Sequence, residues 1–349
     1  MGDGVAGFES FAALPADALA LLEAAGRLEF QFGAAWLRAA IAAALPPGAR
    51  PLMLVYREAG VPVVVLPLVR QGGRLAGLST PYTSRFRPIA APGASDAAMR
   101  RAGAAFGQVC RRFGPLRLDA MEPDCPGLAP LLAGLREAGM VALRFDHFAN
   151  WHAEVPSCWA EYLASRPGAL RATIRRRLAS AARDPRLAFE LIAGGPALAA
   201  GIAAYETVHA ASWKPAEPFP GFTAALLPLA AEAGALRLGV LRRDGVPVAA
   251  QYWLVAGSTA SVLKLAHAEA ARAISPGTVL TALMIRRLIE DDAIRRLDFG
   301  RGDEPYKAGW TGTRRMRIGV VLCPLRHPAG IALLARHITG RIAARLKTL

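Results

Sequence analysis

Residues 235–266 read ALRLGVLRRDGVPVAAQYWLVAGSTASVLKLA. Two extended runs, Ala235 to Arg243 and Val246 to Val255, meet at Asp244-Gly245, a dipeptide that suits a short hairpin turn. A third strand, Ala260 to Ala266, follows at once. Toward the C-terminus, the residues predict a helix over Thr278 to Asp291 and a strand over Ile294 to Phe299. Toward the N-terminus they predict helices over Phe222 to Ala233 and Ala197 to Trp213, and a strand over Leu187 to Ile192. A further helix over Cys158 to Arg183 is interrupted near Pro167-Gly168. Helices, hairpin, strand, helix and strand in this order make an α/β (α+β) arrangement, a mixed central sheet flanked by helices.

The first half carries much of the same order. Helical runs at Leu14 to Ala25 and Ala34 to Leu45 stop at Pro46-Pro47-Gly48. Pro51 to Glu58 and Val61 to Arg70 flank the turn Ala59-Gly60, and Gly72 to Tyr82 adds a glycine-rich strand and turn. Then come a helix (Asp96 to Phe113), a strand (Leu116 to Ala120), a helix (Leu128 to Ala138) and a strand (Val141 to Asn150). Seeing one order twice predicts two pseudo-repeated units. They are expected at 1–150 and 151–325, the second ending on a strand from Arg317 to Pro324, with a basic amphipathic helix within 326–349.

Composition sets outer bounds. The 349 residues are 53% hydrophobic and 20% charged, enough to bury a large core and unlike a disordered chain. The net charge of +15 favours anionic partners such as nucleotide cofactors, RNA or an acidic membrane surface. DNA is not expected, because the charge stands alone: aromatic residues are only 7% of the chain. Nearly all the cations are Arg; the lysines are Lys214, Lys264, Lys307 and Lys347. Lysine offers a compact charge whose pKa can be lowered, which arginine does not, so these positions merit attention. Cys110, Cys125, Cys158 and Cys323 lie far apart without a CxxC, so neither a metal site nor a disulfide framework is expected. The first residues lack a basic signal-peptide start, and the most apolar run, Val61 to Val69, is too short to span a bilayer. A cytoplasmic location is expected, with peripheral attachment to the inner membrane as the variant.

One segment carries a family likeness: Leu297-Asp298-Phe299-Gly300-Arg301-Gly302-Asp303-Glu304-Pro305-Tyr306-Lys307-Ala308-Gly309-Trp310. With Ser275-Pro276-Gly277, the run from His209 to Trp213-Lys214, and the helix bearing Trp159, Arg171, Arg175 and Arg176, it resembles GNAT-superfamily acyltransferases of the CelD (cellulose biosynthesis) group. That group is similar to Fem-type aminoacyl transferases, which have two GNAT-like domains. The close likeness spans 155–315; the first half matches in element order only, as a degenerate copy. The resemblance implies two tandem GNAT-like domains and transfer of an acyl group to a small-molecule amine, in envelope or polysaccharide metabolism. It implies acetyl-CoA or another acyl-CoA as thioester donor and no metal. An aminoacyl-tRNA donor, and a non-catalytic GNAT-fold module of exopolysaccharide biosynthesis, stand as alternatives.

Ser275-Pro276-Gly277-Thr278 opens a helix after a strand and loop, where free N–H groups and the helix dipole suit a phosphate. The likeness places the donor's pyrophosphate there, although Arg272 to Gly277 replaces the usual glycine-rich turn; an ordinary Ser N-cap with Pro at N1 is the competing reading. Asp298, at a strand end, or Asp303 is a candidate to orient or deprotonate the amine, against simple pairing with an Arg. The likeness gives Tyr306 the protonation of the departing thiolate. Lys307 is a candidate for donor phosphate or the tetrahedral oxyanion. Tyr205, His209 and Trp213 fall at i, i+4 and i+8 on one helix face, with His209 as a possible base or a packed hydrogen-bonding residue. Lys214 precedes the proline-rich loop Pro215 to Pro220, a candidate lid on the acceptor side. Gln251, Tyr252 and Lys264 lie on the central strands, with Lys264 directed either to the cleft or to solvent, and Trp310 joins Trp213, Lys214, Gln251 and Tyr252 as a candidate substrate contact. Arg171, Arg175, Arg176 and Arg177 make one helix basic, for an anionic donor such as tRNA or as a solvated face.

Overall fold

The computed structural model describes residues 3–346. In chain order the elements are β1 (Gly4–Phe8), α1 (Ala16–Leu28), α2 (Ala34–Ala43), β2 (Arg50–Glu58), β3 (Val61–Gln71), β4 (Arg74–Gly77), β5 (Ile89–Ala90), α3 (Asp96–Cys110), β6 (Leu116–Met121), α4 (Leu128–Glu137) and β7 (Met140–Glu154). They continue with α5 (Trp159–Ala164), α6 (Gly168–Arg183), β8 (Leu187–Ile192), α7 (Leu198–Ala210), α8 (Phe222–Glu232), β9 (Leu236–Arg243), β10 (Val246–Ala256), β11 (Thr259–His267), α9 (Pro276–Glu290), β12 (Arg296–Arg301), α10 (Tyr306–Thr311), β13 (Thr313–Pro324) and α11 (Pro328–Leu346). Lys347, expected at the end of the last helix, lies outside the described residues. No described helix is long and apolar enough to cross a membrane.

Two compact units emerge. The first takes the chain up to Ala25, Leu45–Phe148 and the stretch from Met316 onward; the second takes Gly26–Ala44 and Ala149–Arg315. In the first unit β2 and β3 form the expected hairpin, paired from Arg50 opposite Arg70 to Glu58 opposite Val61 with a register shift between Tyr56 and Arg57, and β1 lies on the far edge of β2. β4 pairs with β3, and β6 runs parallel to β4. Helices α3 and α4 cross tightly. A side chain at Gly103 would strike the Leu131 carbonyl and one at Gly134 the Arg100 carbonyl, so only glycine permits that approach. The core beneath holds Leu54, Leu66, Met99, Phe106, Leu118 and Leu131.

The second unit repeats this plan. β9 and β10 form a hairpin through Asp244 and Gly245, whose φ angles of 51° and 79° are those of a tight two-residue turn. β11 pairs antiparallel with β10, α9 follows, and β12 runs parallel to β11. Trp253 meets Phe299 edge-on at 5.6 Å, and α2 brings Trp36 edge-on to Phe222 of α8 at 5.5 Å.

The units are not the contiguous blocks 1–150 and 151–325 that the sequence order suggested. Each takes its last strand from elsewhere in the chain. The end of β7 pairs with β12 in the second unit, and β13 pairs with β6 in the first, Ile318 opposite Met121 and Leu322 opposite Leu116. Element order along a chain does not specify which of two like edges a strand joins. Two further expectations change, and one helix was not expected at all. α7 stops at Ala210, β12 runs on through Gly300 to Arg301, and Tyr306–Thr311, to which the sequence assigned no element, is helical.

Candidate active site

The parallel pairing of β11 with β12 is short. It joins Thr259–Ser261 to Arg296–Asp298, and beyond Ser261 β11 continues to His267 against β10 alone. β11 and β12 therefore part toward their C-terminal ends, where open α/β sheets place ligands. A cavity of about 530 Å³ lies there, within the usual range for small-molecule sites. Its walls come from the end of β11 (Leu265, His267), the turn and first helical turns after it (Arg272, Ser275, Gly277, Thr278), α10 (Tyr306, Trp310), Leu170 of α6 and Trp213.

The turn into α9 is unusual. Ser275 adopts φ 53° and ψ 52°, left-handed for a non-glycine residue, and its side chain makes no capping hydrogen bond. The Ser N-cap of the competing reading is therefore absent. Pro276 at N1 has no N–H, and the amides of Thr278 and Val279 both donate back to the Ser275 carbonyl at 3.1 and 3.2 Å. The Gly277 amide is left as the donor of the first turn that the cavity can use. Gly277 also lets an imidazole approach: a side chain there would meet His267 Cδ2 at 3.1 Å. Arg272 adds a cation to this wall, and the first turn of α9 carries no acid. Positive charge and an open amide suit an anionic group.

His267 was not singled out from the sequence. Its Nδ1 lies 3.3 Å from the Ala268 carbonyl, which can only accept. In the neutral ring Nδ1 then holds the proton and Nε2 keeps its lone pair. The ring lies against Trp213, centroids 4.4 Å apart and planes tilted by 43°, and Trp213 is itself 51% exposed. Tyr306 stands on the same wall, 44% exposed. Desolvation, and secondarily the Glu304 carboxylate, raise its phenol well above the ordinary value, so it stays protonated at neutral pH.

Residues 168–308 match the family model of the acetyltransferase (GNAT) domain. This stretch is similar to a GNAT acetyltransferase domain. The cavity lies within the second unit, which contains the whole of that domain, and most of its lining residues belong to the match. Over most of its length the chain also resembles solved structures: FemX (11% identity, 89% of this chain and 96% of that one, TM-score 0.63), L-PGS from Bacillus licheniformis (12%, 96% and 97%, 0.56) and a tandem GNAT protein from the clavulanic acid biosynthesis pathway (15%, 90% and 98%, 0.51). At such identities the likeness concerns the fold, which is that of tandem GNAT proteins. No curated protein matches the chain in sequence.

Of the residues expected to act in the GNAT domain, the cavity gathers Trp213, Arg272, Ser275, Gly277, Thr278, Tyr306 and Trp310. Others sit beside it. Lys264 does not face the cavity; both oxygens of Glu217 accept from its Nζ at 2.6 Å. Glu217, in the proline-rich loop, also lies 3.3 Å from His209 Nε2. Burial lowers the pKa of His209, with Glu217 opposing and Lys264 assisting. Lys214 is half-buried with its ammonium 5.9 Å from the Trp213 ring, and burial followed by repulsion from Lys264 lowers its pKa to about 8. Trp213 leaves the helix face it was expected to share with His209. The Ser212 hydroxyl donates to the His209 carbonyl at 2.7 Å as α7 ends, and Lys214 precedes Pro215, a position that disfavours helix.

The remaining expected residues are structural in their contacts. Asp298 is 2% exposed. It accepts from the Gly300 amide and Asn150 Nδ2, both at 2.7 Å, and from Arg315 Nη2 at 2.9 Å. Arg315 Nε donates in turn to Asn150 Oδ1 at 2.6 Å. This network fixes Gly300 at φ 66°, re-aiming the chain into α10. Asp303 lies at the surface, bonded to Arg314 and to Trp151 Nε1. Lys307, 4% exposed, is folded onto the Arg301 carbonyl at 2.5 Å and Glu304 at 2.8 Å. Gln251 is spent on Trp253 and Thr281, and Tyr252 on Thr223, inside the core. Strand alternation alone did not reveal that these side chains point away from the opening. His267 had a readable signal, a polar residue closing an apolar strand just before the Ser-Pro-Gly turn.

Proposed function

We propose that the chain transfers an acyl group from a thioester donor, acetyl-CoA or another acyl-CoA, to the amine of a small molecule. The observation that carries this reading is the shared wall of one cavity: the α9 turn with Arg272, then His267 and Tyr306, at the open end of the parted strands. The donor's phosphates would meet the Gly277 amide and Arg272, with its acyl arm between β11 and β12. His267 Nε2 takes the proton as the amine nitrogen attacks the thioester carbon. The carbonyl π pair moves to oxygen, returns as the C–S bond breaks, and the Tyr306 hydroxyl gives its proton to the thiolate. The raised phenol pKa keeps the proton on the hydroxyl that the role requires, and also makes it a weaker donor. Asp298 and Asp303 take no part, because their contacts commit them elsewhere.

The resemblance to CelD-type enzymes supports an acceptor from envelope or polysaccharide metabolism. The likeness to FemX supports a second reading, an aminoacyl-tRNA donor. α6 lends Leu170 to the cavity wall and carries exposed Arg175 and Arg176 on its basic side. A panel of CoA, acetyl-CoA, longer acyl-CoAs and aminoacyl-tRNA separates the two by thermal unfolding. A ligand at a hundred times its Kd adds about 2.7 kcal/mol of stability, a shift of several degrees. Stabilisation by CoA species that Arg272→Ala weakens is expected. A response to aminoacyl-tRNA alone would reverse the donor assignment, and a response to neither removes the acyl-transfer reading.

A further inference from the structure

The end of the chain has a charge pattern that acyl transfer does not require. From Pro305 to Leu349 there is no Asp or Glu, against nine Lys and Arg. Within this stretch α11 has one face turned to its own unit, where Leu333 and His337 border a pocket with Phe145 and Val321. The opposite face is open. Ile331 and Ile338, two turns apart, are 52% and 50% exposed, and Leu325 just before the helix is 47% exposed. Arg336 is exposed too but borders that same pocket, whereas Arg326 is exposed beside Leu325. In sequence Ile342 and Leu346 continue the apolar spacing, and Arg341, Arg345 and Lys347 add three more cations.

An open row of isoleucines beside cations, with no carboxylate, is the pattern of a helix that lies in a membrane interface. Other occupants fit less well. RNA would use the cations but gain little from exposed isoleucines. A second copy of the chain would bring like charges together with no acid to offset them. α11 is not apolar enough to span a bilayer. We infer that α11 docks the protein on an anionic lipid surface, with Leu325, Ile331 and Ile338 entering the interface and Arg326 meeting the headgroups. This does not depend on the acyl-transfer reading, because the helix and the cavity belong to different units.

The test is co-sedimentation of the full chain with phosphatidylcholine vesicles and with vesicles that also contain phosphatidylglycerol. Binding is expected only to the anionic vesicles, and it falls as salt rises. Ile331→Asp with Ile338→Asp should weaken it more than tenfold and Arg326→Gln about fivefold. The substituted side chains are exposed, so thermal unfolding should be unchanged. Three results overturn the inference: no binding to anionic vesicles; salt-sensitive binding that survives Ile331→Asp/Ile338→Asp, which would trace it to the diffuse charge of the chain; or self-association, without vesicle binding, that those substitutions abolish.

Discussion

Replacing Asp298 separates a structural carboxylate from a catalytic one. The side chain is buried and accepts three hydrogen bonds, one from Arg315 and two from Asn150 and the Gly300 amide. Asp298→Ala removes all three and leaves the Arg315 guanidinium, itself only partly exposed, facing the cavity the carboxylate filled. Breaking one side of a buried charged pair costs about 3–5 kcal/mol. Asp298→Asn retains the shape, and its carbonyl oxygen can still accept from the Gly300 amide. It loses the charge opposite Arg315, for about 1.5–3 kcal/mol. For a unit of this size each kcal/mol moves Tm by about 2–4 °C, so Asp298→Ala should lower it by about 6–20 °C and Asp298→Asn by less. Calorimetry and denaturant unfolding read this without any substrate. The pair Asp298→Ala with Arg315→Met should recover part of the loss, since no buried charge then remains unmatched. A variant that unfolds within about 0.5 kcal/mol of the parent, the range of neutral surface changes, would refute the network as described and restore Asp298 as a candidate base.

Three other outcomes follow from the same geometry. Tyr306→Phe and His267→Ala should leave Tm nearly unchanged, because both side chains line an open cavity, yet each should lower kcat about 10²–10⁴-fold as lost acid and base; turnover within a few-fold of the parent for either would remove that residue from the mechanism. Lys214, with its pKa near 8, should be acylated by acetic anhydride with a pH midpoint well below that of an ordinary lysine, measured by peptide mass spectrometry; a midpoint near 10 would show that its ammonium is not desolvated. Burial lowers this pKa, so the unfolded chain holds more protons between about pH 8 and pH 10.5, and the Lys214 contribution to stability should rise with pH across that window. Gly134→Ala should destabilise the first unit by at least about 1–3 kcal/mol through overpacking against α3; an unchanged unfolding curve would mean the helices can separate without loss.

The sequence by itself determined the local order. Asp244-Gly245 fixes a hairpin because only a few residues accept two consecutive positive φ angles, and Pro276 with Gly277 marks the helix start because proline suits N1. It also brought seven of the residues that line the cavity into view, since turns at strand ends are visible as Ser, Pro and Gly between apolar runs. What the tertiary structure alone decided was direction and partnership. Asp298, Lys307 and Lys264 are charged residues beside glycines or apolar strands, and in sequence that looks the same whether the charge faces a ligand or another side chain. Arg315 and Asn150, distant in the chain, claim Asp298, and Glu217 claims Lys264. The exchange of β7 and β13 between units was likewise invisible. The reason is physical. Turn chemistry and periodicity act over a few residues, whereas a buried charge is settled by whichever opposite charge or donor the folded chain brings within about 3 Å.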